Sequence, residues 1–129
     1  MHRDIFKFID ENNYVSVMNN TKWNKLGVAI EANEDKEPCV RVKFLFEDEP
    51  TGYSLMDWNF ENHNCTLFEW IDIDPIKKIR IGGLVPDKEI DLSTHVLEIL
   101  SQNNIPYSIE NGMYRVWGYY ASGNVPVFV

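Results

Sequence analysis

The spacing of apolar residues changes several times along the chain, and each change marks an element. Ile5, Phe8 and Ile9 lie at helical spacing, and Tyr14, Val17 and Met18 repeat it after Asn12-Asn13, which predicts a broken N-terminal helix. Trp23, Leu26 and Ile30 form one stripe behind a cap at Asn20 or Thr21, predicting a second amphipathic helix. Gly27 sits inside that stretch. A mid-helix glycine costs up to about 1 kcal/mol relative to alanine, so a closely approaching neighbour is expected there.

The period then shifts to two. Val40, Val42, Phe44 and Phe46 alternate with Arg41 and Lys43, as in a strand with one buried face. Glu47-Asp-Glu-Pro-Thr-Gly52 has the composition of a turn, and Tyr53 to Phe60 is expected to return as the antiparallel partner. Leu67 to Ile73 and Ile76 to Ile81 read as further short strands, separated by Asp74-Pro75 and closed by Gly82-Gly83. Asp91 or Ser93 opens a helix with the stripe Leu92, Val96, Ile99 and Leu100, ending near Asn103-Asn104 before Pro106.

The run from Ile105 to Tyr120 predicts a hairpin on the two-residue turn Asn111-Gly112. That turn sets Glu110 opposite Met113, Ile109 opposite Tyr114, Ser108 opposite Arg115 and Tyr107 opposite Val116. Tyr107, Ile109, Tyr114, Val116 and Tyr120 then share the face assigned to the core, and Met113, Arg115, Trp117 and Tyr119 share the other. The fold class is α+β: two to three helices packed on a mostly antiparallel sheet with a C-terminal β-hairpin, in one domain over residues 1–129.

Composition narrows the partners. Between Glu31 and Asp74 there are twelve acids and three bases, an excess of nine negative charges, whereas the chain as a whole carries −8. The negative excess lies in one contiguous third, so a phosphate backbone or an anionic membrane is a poor fit, and the expected partner is a basic protein. No apolar run reaches the ~18 residues of a membrane helix, and the first ten residues mix charge with apolar side chains, unlike a secretory leader. A cytoplasmic location is expected. Cys39 and Cys65 are enough for one disulfide, but a core of this size does not need it, and free buried thiols are expected.

Four boxes, Asn19-Asn-Thr-Lys-Trp23, Tyr53-Ser-Leu-Met-Asp-Trp58, Glu69-Trp-Ile-Asp-Ile-Asp-Pro75 and Tyr114-Arg-Val-Trp-Gly-Tyr119, resemble a family of small bacterial cytosolic proteins classed as a domain of unknown function. The resemblance runs from about Tyr14 to Tyr120 and implies no catalytic residues. In size, charge and aromatic content the chain also resembles immunity proteins, which bind and block a co-encoded toxin.

Several constellations compete as sites. His63 and Cys65 are of the types that ligate zinc or form a thiol–imidazole pair, but two ligands fall short of a metal site, and Glu61-Asn-His-Asn64 reads as a polar loop joining two strands. Glu69, Asp72 and Asp74 suggest a magnesium-dependent hydrolase as the alternative function; without a phosphate-binding glycine loop they read as a solvated acidic rim. Ser93 and His95, two apart on a helix, read as a helix start. No catalytic residue, metal ligand or cofactor is assigned. Trp23, Trp58 and Trp70 are expected in the core. The candidate partner-binding residues are Met113, Arg115, Trp117 and Tyr119, of types enriched at interface centres, together with the acidic turn Glu47, Asp48 and Glu49.

Overall fold

The computed structural model describes residues 4–58 and 67–129. The loop that holds His63 and Cys65 lies outside the described residues.

Helix α1 (Ile5–Glu11) is capped by Asp4, whose carboxylate accepts the Lys7 N–H at 3.1 Å. It ends at Asn13, which takes a positive φ of 54°. The second half of the expected broken helix is instead a strand, β1 (Tyr14–Ser16). Asn13 in the left-handed region stops helical propagation, and Val15, with 39 % of its surface exposed, has no helical face to join. Helix α2 (Asn20–Glu31) is capped one residue earlier than expected, by Asn19, whose side chain accepts the Lys22 N–H at 2.8 Å. It buries Trp23, Leu26, Gly27 and Ile30. The expected neighbour of Gly27 is Trp58: a Cβ added at Gly27 would lie 2.9 Å from the Trp58 Cβ and 3.2 Å from its carbonyl oxygen.

A short 3₁₀ turn, Glu34–Lys36, leads to β2 (Val40–Phe44). Its antiparallel partner is β3 (Phe68–Ile73), in the register Val40–Ile73 and Val42–Ile71. The expected pairing with Tyr53–Phe60 is corrected. In the described part of that segment only a short contact with β2 forms, Ser54 bridging Val40 and Thr51 bonding Val42 on the edge away from β3, and Trp58 is drawn off to Gly27. A register shift at Lys43/Phe44 also ends the alternation early, so Leu45 is buried and Phe46 leaves the strand to pack its ring on Phe8 at 4.8 Å.

Strand β4 (Ile76–Ile79) pairs with β5 (Lys88–Asp91) in a two-stranded sheet of its own. Helix α3 (Ser93–Gln102) starts where Asp91 accepts the Ser93 N–H at 2.8 Å. Then come β6 (Ser108–Glu110), β7 (Met113–Trp117) and β8 (Tyr119–Ala121). The main sheet has the order β2-β3-β7-β6, and β1 pairs with β8 in a third sheet; every pairing is antiparallel. Val40, Val42, Ile71, Ile73, Tyr114 and Val116 face α2 and α3 and form the core with Trp23, Leu26, Ile30, Val96, Ile99 and Leu100.

The hairpin forms in the expected register, with Asn111 at φ 51° and Gly112 at φ 80°, the two positive values of a type I′ turn. Two face assignments are corrected: Tyr120 lies outside the core, in β8 opposite Val15 with its ring against Phe128, and Ile109 faces solvent. Ile109 is 54 % exposed, while its neighbour Ser108 is buried, because β6 is short and the bridge to Phe128 covers Ser108 on the sheet edge. Gly112→Val is expected to destabilise the fold by about 1–2 kcal/mol, because a β-branched side chain tolerates positive φ poorly. A urea titration checks it; an unmoved midpoint contradicts the strain argument.

Candidate functional site

The register of the main sheet builds a row of charge on the face turned away from α2 and α3. Arg41 of β2 lies opposite Asp72 of β3, Asp72 opposite Arg115 of β7, and Arg115 opposite Ser108 of β6. The next row is Lys43, Trp70 and Trp117. Strand alternation puts these side chains on one face because their flanking residues fill the core on the other.

Asp72 is fully buried and shared by two guanidinium groups. Arg115 donates from Nε to Oδ1 at 2.6 Å and from a terminal nitrogen to Oδ2 at 2.9 Å, and Arg41 donates from Nε to Oδ2 at 3.1 Å. The Arg115 guanidinium lies 3.7 Å over the Trp70 ring and 5.4 Å from that of Trp117; Arg41 lies 5.3 Å from the Tyr53 ring and 5.5 Å from that of Trp70. Charge-assisted bonds and cation–π contacts thus fix the same groups twice over. Trp117 donates its indole N–H to the Ser108 hydroxyl at 2.8 Å, and that hydroxyl donates to Glu110 at 3.1 Å. Burial and the Asp72 charge raise the Tyr53 phenol above its ordinary pKa, with Arg41 opposing them.

Three sequence readings change here. Asp72 does not belong to a solvated rim: it is buried, because a carboxylate between Ile71 and Ile73 is carried into the sheet, where two arginines on neighbouring strands neutralise it. Trp70 is buried, but outside the main core, beneath Arg115. Tyr119 does not continue the row of Trp117, because the chain bends at Gly118 and places Tyr119 opposite Ser16 in the β1–β8 sheet. Met113, Arg115 and Trp117 do share the outer face, each half-buried, and Glu47, Asp48 and Glu49 are exposed in the loop that continues β2 past the Lys43–Trp70–Trp117 row. Arg41, Tyr53 and Ser108 were absent from the sequence-based set of site residues. The signal that finds Arg41 is an arginine between two core valines in a strand.

The acidic cluster does not converge. Glu69 accepts the Tyr14 hydroxyl at 3.0 Å and pairs with Lys43 at 3.3 Å, Asp72 is held by the two arginines, and Asp74 accepts the Ile76 N–H at 2.9 Å. Burial, and then the bond to Glu69, raise the Tyr14 phenol pKa. Among the described residues no three His, Cys, Asp or Glu side chains come together in a way that would hold a metal ion. Ser93 and His95 belong to α3, and Cys39 is a half-buried free thiol. A second concentration of acid lies at the end of α2, where burial and then Glu31 and Glu34 raise the pKa of Glu37, with Lys77 opposing them. No described helix is long and apolar enough to cross a membrane.

A family model described as a family of unknown function (DUF6678) matches residues 5–123. That span includes all four sequence boxes and the whole outer face of the main sheet. No curated protein and no solved structure matches the chain.

Proposed function

Because this chain belongs to DUF6678, a family of unknown function, its role has to be sought in its own surface, and we propose that it is a protein-binding module for a basic partner. The observation that carries this reading is the half-buried outer face of Met113, Arg115 and Trp117, immobilised on a buried ion triad, with the exposed acids Glu47, Asp48 and Glu49 in the loop that continues β2 of the same sheet. A rigid aromatic anchor loses little side-chain entropy on binding, which is what the centre of an interface requires. The acidic loop supplies steering. Neutralisation of a basic toxin by a small acidic cytoplasmic protein is the most concrete form of this role.

The geometry redistributes the work among the candidate residues. Arg115 is committed to Asp72 and Trp70, so it positions the face rather than reaching across it. Trp117 and Met113 are the contact residues, with Arg41 and the 39 % exposed Tyr53 beside them. Tyr119, on a different sheet, is left out.

The test is kinetic. A basic protein captured from the source cell and purified should associate rapidly at low salt and more slowly as salt rises, since exposed charges are screened beyond about 8–10 Å. Reversing Glu47, Asp48 and Glu49 to lysine should lower the on-rate about tenfold or more with the off-rate nearly unchanged. Trp117→Ala should raise the off-rate by about thirtyfold, the equivalent of roughly 2 kcal/mol, and Trp117→Phe should restore most of it. Capture of no basic protein, or association indifferent to salt and to both changes, sinks the reading.

A further inference from the structure

The charged row on the outer face of the main sheet has one further member, supplied from beyond the four strands. Phe128 bridges Ser108 in antiparallel register on the free edge of β6. Residues opposite each other in a sheet share a face, so Phe128 extends the row of Arg41, Asp72, Arg115 and Ser108 on the outer side. Around it the segment 125–129 alternates as a strand does. Pro126 and Phe128 are half-buried, whereas Val125, Val127 and Val129 are 63 %, 86 % and 72 % exposed.

The hold of this segment is slight. A turn through Ser122, Gly123 and Asn124 is fixed to the fold, the Ser122 N–H donating to the Asn13 carbonyl at 2.9 Å and the Asn124 N–H to the Ala121 carbonyl at 2.8 Å. Beyond that turn the segment is attached by the Ser108 bridge, by the Val129 N–H donated to the Tyr107 carbonyl at 2.9 Å, and by the Phe128 ring, 6.1 Å from that of Tyr120. No side chain from 122 to 129 belongs to the core cluster. A strand held this lightly opens more readily than the sheet it lies on. What it covers matters to the face: Ser108, 1 % exposed under the bridge, is the hydroxyl that accepts the Trp117 indole N–H. The pairing edge and the aromatic anchor adjoin.

We propose that segment 125–129 is a displaceable strap, seated on β6 in place of an extended apolar segment of the partner protein, which adds to the sheet at the same edge once the strap has left. The strap itself shows what fits there: an extended backbone with a large apolar side chain opposite Ser108. Strand addition of this kind takes its affinity from main-chain bonds and its specificity from alternate side chains. The contact is uncharged, since no charged side chain occurs from Val116 to Val129. The proposal rests on the binding reading for the identity of the partner, and it adds to acidic steering a contact that salt does not weaken.

The probe is a fluorescently labelled peptide of the strap's own sequence, Asn-Val-Pro-Val-Phe-Val from residues 124–129, titrated by anisotropy into full-length chains. Wild type should bind it weakly, because its tethered strap competes at an effective concentration on the order of millimolar. Phe128→Asp unseats the strap, so that chain should bind the peptide at least about tenfold more tightly, equally at low and high salt, with amide exchange slowed along β6. Val127→Asp changes a side chain that is 86 % exposed and leaves Phe128 seated, so it should behave as wild type. Phe128 lies outside the core cluster, so its variant should keep the wild-type circular dichroism; loss of that spectrum would make Phe128 part of the fold and overturns the proposal. Binding that is equal for wild type and Phe128→Asp, or absent from the variant up to about 1 mM, overturns it too. A wild-type dimer formed by exchange of straps would make a second copy the occupant and overturns the assignment to a foreign segment. The two readings fail separately. A basic partner that associates no faster with Phe128→Asp than with wild type sinks the strap and leaves the partner, and peptide binding at β6 where no basic protein is captured does the reverse.

Discussion

Asp72→Ala is expected to lower the unfolding free energy by about 3–5 kcal/mol, the range for breaking a buried ion pair from one side. The carboxylate is fully buried and accepts three bonds from two guanidinium groups. Removing it leaves both cations facing each other across the gap, and the cost arises mostly from Arg115, whose side chain is 15 % exposed, rather than from Arg41, which at 29 % recovers more water. The same asymmetry ranks the single arginine variants. Arg115→Ala loses two charge-assisted bonds and the stacking on Trp70 at 3.7 Å, whereas Arg41→Ala loses one bond and looser ring contacts, so the first should be the more damaging. Urea titrations of the three variants and of the Asp72→Ala/Arg115→Ala double variant give the coupling. Because Arg115 holds the Trp70 and Trp117 rings, the Asp72 variant should also change the tryptophan fluorescence of the native state. A loss below about 1 kcal/mol, with native fluorescence unchanged, would mean that the triad does not organise the outer face.

What the sequence made legible was local. The hairpin was readable because Asn111-Gly112 states its own turn type and therefore its register, and α2 and α3 because each holds a full helical stripe. Pairings between distant segments were not readable. β2 finds β3 rather than the nearer Tyr53–Trp58 stretch, since β3 offers Ile71 and Ile73 to the same core as Val40 and Val42, while Trp58 is claimed by Gly27. β1 and β8 are three residues long, too short for any period, and they join the two ends of the chain. The ion triad shows how far pattern reaches. Arg41, Asp72 and Arg115 each sit between two core residues, which marks all three as facing away from the core, but only the strand order β2-β3-β7 reveals that they share one row. For that reason Asp72 read as an acid beside Asp74, when its partners are bases from strands remote in sequence.

Gly118→Ala should be the most damaging single methyl in the protein, at about 3 kcal/mol or more and a melting temperature lower by roughly 10 °C. A Cβ at this position would run into the carbonyl oxygen of Phe68, which is backbone and cannot swing aside. Nor can Gly118 retreat. Its N–H donates to the Glu69 carbonyl at 2.8 Å and its own carbonyl accepts the Val17 N–H at 2.9 Å, so the residue rivets the main sheet to the β1–β8 sheet from both sides. Moving it to admit a methyl gives up one of those bonds, and the bend that turns the chain from Trp117 to Tyr119 opens with it. The φ of Gly118 is not in the left-handed region, so the effect is one of space and not of backbone freedom. Gly123→Ala is the control: nothing lies within 4 Å of a Cβ there, and the change should stay within about 0.5 kcal/mol of wild type. Amide exchange should locate the damage, with protection lost first at Val17 and along β8 while the Asn111-Gly112 hairpin is retained. Equal stability of the two alanine variants would show that Phe68 can give way and that the close approach at Gly118 is not what joins the two sheets.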